Sequence, residues 1–128
     1  MDKAALVSRY VLGLIFFVFG LNGFLGFITP PAPTAEGGAF LGALGATGYM
    51  FPFIKGVEVL AGLCFLSNRF VALALVVSAP ITINIFLYHT ILDPGVQQLF
   101  MPVVIVATSL IVAKSKADVY RPLLNASS

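Results

Sequence analysis

Charged side chains are scarce in this sequence. Of its 128 residues, 9% are Asp, Glu, Lys or Arg and 59% are hydrophobic, whereas a soluble domain carries about 25% charged residues. Water cannot be the solvent for most of such a surface, which excludes an ordinary soluble domain. The net charge of +2 comes without a dense basic run, so we expect no nucleic-acid partner.

Cysteine, histidine and tryptophan are also nearly absent. Cys64 and His89 are each the only residue of their type, and there is no Trp. A lone cysteine excludes an intrachain disulfide and dithiol chemistry within the chain. One Cys and one His do not make a zinc site. No residue pattern identifies a cofactor.

What the sequence does have is four long apolar runs, at about 7–28, 50–67, 69–92 and 95–113. About 20 apolar residues suffice to cross a bilayer as a helix. The first run exceeds the roughly 7–15 residues of a signal-peptide core, so it is interpreted as a span. We therefore predict an all-α, integral membrane four-helix bundle that forms a single domain over residues 1–128.

Proline and glycine mark what lies between and within these spans. Pro30, Pro31 and Pro33 forbid regular helix over 29–36, which predicts a loop. Residues 37–48 are apolar but too short to cross, so they predict a short extra helix between spans one and two. Pro80 and Pro102 fall inside spans three and four, where each predicts a kink.

The distribution of charges predicts the orientation. Glu36 and Asp93 fall on one side of the four spans. The other side carries all the basic residues except Lys55, namely Lys3, Arg9, Arg69, Lys114, Lys116 and Arg121. The positive-inside rule then places both termini and the turn at 67–69 in the cytoplasm. An even number of spans independently requires the termini to share a side.

Five polar residues inside the spans are the candidate ligand-binding residues. At a rise of about 1.5 Å per residue, Asn22, Lys55, Glu58 and Asn84 fall in one layer of the outer half, with His89 above them at the mouth. An ionisable group at membrane depth is costly, so Lys55 and Glu58 are functional candidates. The other residues join them because their depths coincide across three helices. Each also has a structural interpretation. Lys55 and Glu58 are three apart and can pair on one helix face, the asparagines can bond between helices, and His89 can reach the interface.

Two further features of span one have structural interpretations. Arg9 marks the cytoplasmic boundary of the span. Gly20, Gly23 and Gly26 place small residues along its outer half, where they either pack inside the bundle or form an oligomer face.

Over nearly its whole length the sequence resembles the DoxX family of small four-span bacterial membrane proteins. The motifs that carry the resemblance are FGLNGF at 19–24, EVLAGL at 58–63, SNRFV at 67–71, APITINI at 79–85 and HTILDP at 89–94. Many members carry Lys where this chain has Gly23. The resemblance implies a four-span fold in the bacterial inner membrane. It also implies an association with terminal oxidase, thiosulfate:quinone oxidoreduction and redox-stress complexes.

Two functions are compatible with these observations. The first is a membrane subunit of a redox or quinone-linked system, with a quinone-like or small polar ligand in the outer polar pocket and a membrane redox partner protein. The alternative is a non-enzymatic binding or assembly protein that acts as a chaperone for its partner. No self-sufficient catalytic set is present, so we do not expect an enzyme that acts alone. The partners in either case include the lipid bilayer and a second copy in a homo-oligomer.

Overall fold

A computed structural model describes residues 2–29 and 31–126. Its helices are α1 (Lys3–Leu25), α2 (Ala35–Ala46), α3 (Met50–Ser67), α4 (Val71–Leu87), α5 (Val96–Ser115) and α6 (Ala117–Tyr120). A π-helical stretch, Tyr88–Leu92, continues α4, and a 3-10 turn, Arg121–Leu124, follows α6. The all-α prediction and the short extra helix are confirmed. Pro30 in the predicted loop, and Ser127 and Ser128 at the predicted cytoplasmic terminus, lie outside the described residues.

Four of these helices are long and apolar enough to cross a membrane: Lys3–Leu25, Met50–Ser67, Val71–Leu92 and Val96–Ser115. They contain 18 to 23 residues, which is about 27–35 Å at the helical rise and matches a hydrocarbon core of about 30 Å. The 12 residues of α2 span only about 18 Å, too short to cross. The chain is an integral, multi-pass membrane protein.

The spanning helices form a closed ring in which α1 and α4 each contact both α3 and α5. The best-buried side chains meet at its centre, where the rings of Phe16 and Phe65 stack with centroids 6.2 Å apart beside Leu12 and Val112. Large apolar side chains on the outside of the ring remain exposed. That is the arrangement expected where the surrounding solvent is lipid.

Close approach of α1 to α3 depends on glycine. A Cβ on Gly62 of α3 would lie 2.5 Å from the Phe17 nitrogen and 2.9 Å from the Gly13 carbonyl oxygen. A Cβ on Gly20 would lie 2.8 Å from the Val59 nitrogen. Since these neighbours are backbone atoms, the glycines set the spacing of the two helices. Gly20 thus packs inside the bundle, one of the two alternatives that the sequence left open.

The other two glycines of the predicted stripe have separate roles. Gly23 is exposed, and the side chain of Lys55 lies directly against it. Gly26 ends α1 with a left-handed φ of 65° and has open space around its Cα. Glycine adopts this conformation without steric cost, which explains why α1 stops there.

We call the end of the bundle that holds the start of α1, the 67–70 turn and the end of α5 the basic end, and the opposite end the acidic end. Side chains tie the elements of the basic end together. The Tyr120 hydroxyl donates to the Ala72 carbonyl at 2.7 Å, which fixes α6 to the first turn of α4. Burial raises the pKa of Tyr120 above its ordinary value, so the hydroxyl keeps the proton that it donates.

Candidate functional site

A groove between α2 and the end of α4 contains one of the predicted site residues, Asn84. This α2–α4 groove has a volume of about 210 Å³ and is lined by Phe40, Asn84, Leu87, Tyr88, Ile91 and Leu92. The lining residues are apolar except for Asn84 and Tyr88. It lies at the acidic end of the bundle.

Asn84 and Tyr88 share a face of α4 because they are four residues apart. Asn84 is exposed, and its Nδ2 donates to the Pro80 carbonyl at 2.8 Å. An amide nitrogen carries two protons, so one N–H remains for a ligand. The Tyr88 ring lies 5.9 Å from the Phe40 ring, between centroids. Together these side chains offer hydrogen-bond donors beside an aromatic pair.

Hydrogen bonds between Thr34 and the residues Leu92 and Asp93 hold α2 against the end of α4, and we call this set of bonds the latch. The Thr34 backbone N–H donates to the Asp93 carboxylate at 3.0 Å, and the Thr34 hydroxyl donates to the Leu92 carbonyl. The same hydroxyl accepts from the Gly37 N–H at 3.1 Å, which caps α2. Asp93 is buried by these contacts. The latch positions Phe40 over the groove, and the sequence analysis missed it because its partners are about 59 residues apart.

Lys55 and Glu58 form an ion pair, with Lys55 Nζ 3.2 Å from Glu58 Oε2. Glu58 is only 3% exposed and packs against Gly20 of α1, while Lys55 lies against Gly23. Because position 23 is glycine, the Lys55 side chain can occupy the space that a side chain there would fill. Neither charged residue lines the α2–α4 groove. The structural interpretation predicted that these two residues pair on one face of α3, and the ion pair is present.

Asn22 and His89, the remaining predicted residues, have local partners. The Asn22 amide accepts from the Ile28 N–H at 2.6 Å and donates to the Ile28 carbonyl at 3.1 Å, which closes the loop after α1. His89 is half-buried with its ring edge-on to Tyr88 at 4.9 Å, and its Nδ1 has no hydrogen-bond partner among the described residues. No direct hydrogen bond joins Asn22, Asn84 or His89 to the ion pair within the described residues. Asn22 and Asn84 therefore bond locally rather than to the ion pair.

Arg9 is the residue whose role the sequence analysis missed. It is 4% exposed, where a boundary marker would be solvated. Its guanidinium donates to the carbonyl of Phe65, lies 3.5 Å from that of Leu66, and sits 4.4 Å from the centre of the Tyr10 ring. A cation here supplies a hydrogen-bond donor to the last carbonyls of α3 and interacts favourably with the negative end of the helix dipole. The available signal was an arginine about two turns inside an apolar helix.

The described residues contain no group of three His, Cys, Asp or Glu side chains that could hold a metal ion. The residues that line the groove offer aromatic contact and neutral hydrogen-bonding groups. The Asp93 carboxylate lies in the latch beside the groove, whereas the Lys55–Glu58 pair does not line it.

The chain is similar to a Bacillus subtilis (strain 168) protein described as "Uncharacterized protein YwoB", with 38% identity over 98 residues. The alignment covers 71% of this chain and 64% of the relative, so the chain spans less than two thirds of that protein's length. No family model matches the chain. No solved structure matches it. The relative's description names no activity, and function must be argued from the site.

Proposed function

We propose that this chain is a DoxX-like protein of the bacterial inner membrane. In this proposal it serves as a membrane subunit of a redox-linked system and binds the head of a quinone-like lipid in the α2–α4 groove. The observation that carries the proposal is the combination of the Phe40–Tyr88 aromatic pair with the donors of Asn84 and Tyr88 in an otherwise apolar lining. A quinone head needs both, since it is a flat ring with two carbonyl acceptors.

The size of the groove supports a headgroup rather than a whole ligand. Pockets that enclose drug-sized ligands measure about 300–1,000 Å³, whereas this groove measures about 210 Å³. A single ring fits such a volume. The isoprenoid tail would remain in the surrounding lipid, because the groove is too small to enclose it as well.

Electron transfer in this proposal belongs to a partner protein. One histidine cannot supply bis-histidine haem ligation, and Cys64 has no second cysteine in the sequence with which to cycle a disulfide. The chain's contribution is to hold the lipid-soluble carrier beside the partner. This division of labour agrees with the functions that the DoxX resemblance implies.

The alternative is a non-enzymatic assembly protein that stabilises a membrane partner. The Lys55–Glu58 pair favours it, because the two charges already satisfy each other and neither awaits a ligand. This alternative predicts a stoichiometric protein complex without a bound small molecule.

Native mass spectrometry of the protein extracted in lipid nanodiscs separates the two functions. We expect a copurifying quinone, its amount reduced by Asn84→Leu and by Tyr88→Phe, which remove the two donors. Thr90→Val is the matched control, because the Thr90 hydroxyl bonds within its own helix and does not line the groove. A partner subunit without any quinone would favour the assembly function. Quinone retained in full by both groove variants would contradict the site.

A further inference from the structure

A second groove runs between α3 and α4, away from the site described above. Val57, Leu60 and Cys64 line it from α3, and Phe70, Leu73 and Val77 line it from α4. Both sets follow the spacing i, i+3, i+7, so each presents one helix face. The groove extends along the helix axes for about 10 Å, which is seven residues of helical rise. We call it the α3–α4 groove.

The dimensions of the α3–α4 groove suit one hydrocarbon chain. Its volume is about 150 Å³, and its lining side chains are apolar. A helix with side chains is about 10–12 Å across, too wide for a groove of this volume, whereas an extended acyl chain lies parallel to the helices in a bilayer. The groove therefore fits part of a lipid tail.

The groove reaches the basic end at Arg69 and Phe70. Arg69 is exposed, and its backbone N–H donates at 3.0 Å to the carbonyl of Cys64, which lines the groove. The ion pairs among the described residues are Lys55–Glu58 and Arg121–Asp118, so Arg69 has no acidic partner there. An exposed cation without an acidic partner among the described residues thus directly precedes Phe70, which lines the groove.

Phe70 reinforces this arrangement. Its φ of 54° is left-handed, a conformation that bulky residues rarely adopt, and its side chain is 72% exposed. Phe70 lines the basic end of the α3–α4 groove. Strained backbone of this kind persists where the surrounding structure fixes a functional geometry.

We propose that the α3–α4 groove binds one anionic glycerophospholipid from the leaflet at the basic end. One acyl chain would lie along the groove, and the phosphate would pair with Arg69. Charge complementarity selects the anionic class, because basic residues near a membrane attract acidic lipids. The site is independent of the α2–α4 groove and of the quinone proposal.

Single tryptophans test this directly, because the chain contains none. Val77→Trp and Leu60→Trp place a reporter on opposite walls of the groove. Val76→Trp is the matched control, since Val76 is equally exposed, one residue away, and does not line the groove. The purified protein is placed in vesicles of phosphatidylcholine with a fixed fraction of brominated lipid, either phosphatidylglycerol or phosphatidylcholine, and quenching of the fluorescence is measured.

We expect both groove reporters to be quenched more by brominated phosphatidylglycerol than by brominated phosphatidylcholine, and Val76→Trp to show no preference. Arg69→Gln should lower the relative affinity about fivefold, the factor that corresponds to about 1 kcal/mol per basic residue. Lys114→Gln removes an exposed charge from the same end but from α5, and it should leave the preference intact. Two groove reporters without any preference would overturn the proposal. Equal losses in Arg69→Gln and Lys114→Gln would overturn it as well, since they would indicate general surface attraction.

Discussion

Substitution of Gly62 by alanine gives the most direct test of the packing between α1 and α3. The added Cβ would lie 2.5 Å from the Phe17 nitrogen, 2.8 Å from its Cα and 2.9 Å from the Gly13 carbonyl oxygen, whereas ordinary contacts begin at 3.4 Å. All three neighbours are backbone atoms and no rotamer change relieves them. The helices must therefore separate by roughly 1 Å, which also loosens the dispersion contacts along the interface.

Overpacking of this kind costs about 1–3 kcal/mol. Gly56→Ala on the same helix is the matched control, because a Cβ there meets nothing within 4 Å. Away from packing, replacing a helical glycine by alanine stabilises by about 0.5–1 kcal/mol. We therefore expect the two variants to differ by about 1.5–4 kcal/mol, with Gly62→Ala the less stable.

The assay is unfolding by SDS in mixed micelles, followed by circular dichroism and by the elution volume on gel filtration. Gly62→Ala should unfold at a lower mole fraction of SDS than the unmodified protein, and Gly56→Ala at an equal or higher one. Equal midpoints for the two variants would refute the close approach of α1 and α3, and with it the arrangement of the ring.

Three other predictions concern the buried charged residues and the orientation in the membrane. Lys55→Met leaves Glu58 buried without its partner and should lower the free energy of unfolding by about 3–5 kcal/mol. Adding Glu58→Gln to the same chain should restore most of that loss. A double variant as unstable as Lys55→Met would show that the broken pair is not the reason for the loss. Arg9→Gln should lower the free energy of unfolding by about 1.5–3 kcal/mol, since the last carbonyls of α3 lose a charged donor, and an unchanged SDS midpoint would mean that solvent replaces it without cost. In a cysteine-free variant of the chain, Glu36→Cys should react with an impermeant maleimide in intact cells and Ser67→Cys only after the membrane is opened; the reverse pattern would invert the proposed orientation.

The sequence alone determined the fold class and the placement of the helices. A bilayer imposes a minimum length on every apolar helix, and hydropathy along the chain reports that length directly. For this reason the predicted second span, about 50–67, coincides with α3, and the short helix predicted at 37–48 is found as Ala35–Ala46. The pairing of Lys55 with Glu58 was also accessible, because residues three apart on a helix face one another.

Only the tertiary structure decided which polar side chains meet. Depth in the membrane follows from position along a helix, but the direction of a side chain depends on which neighbours the helix packs against. Thus Asn22 bonds to a loop residue, and Asn84 lies exposed at a groove. Arg9, whose position suggested only a boundary, satisfies carbonyls 56 and 57 residues away. The spacing of α1 and α3 had to be known first, since glycine brings their backbones close enough for these long-range contacts to form.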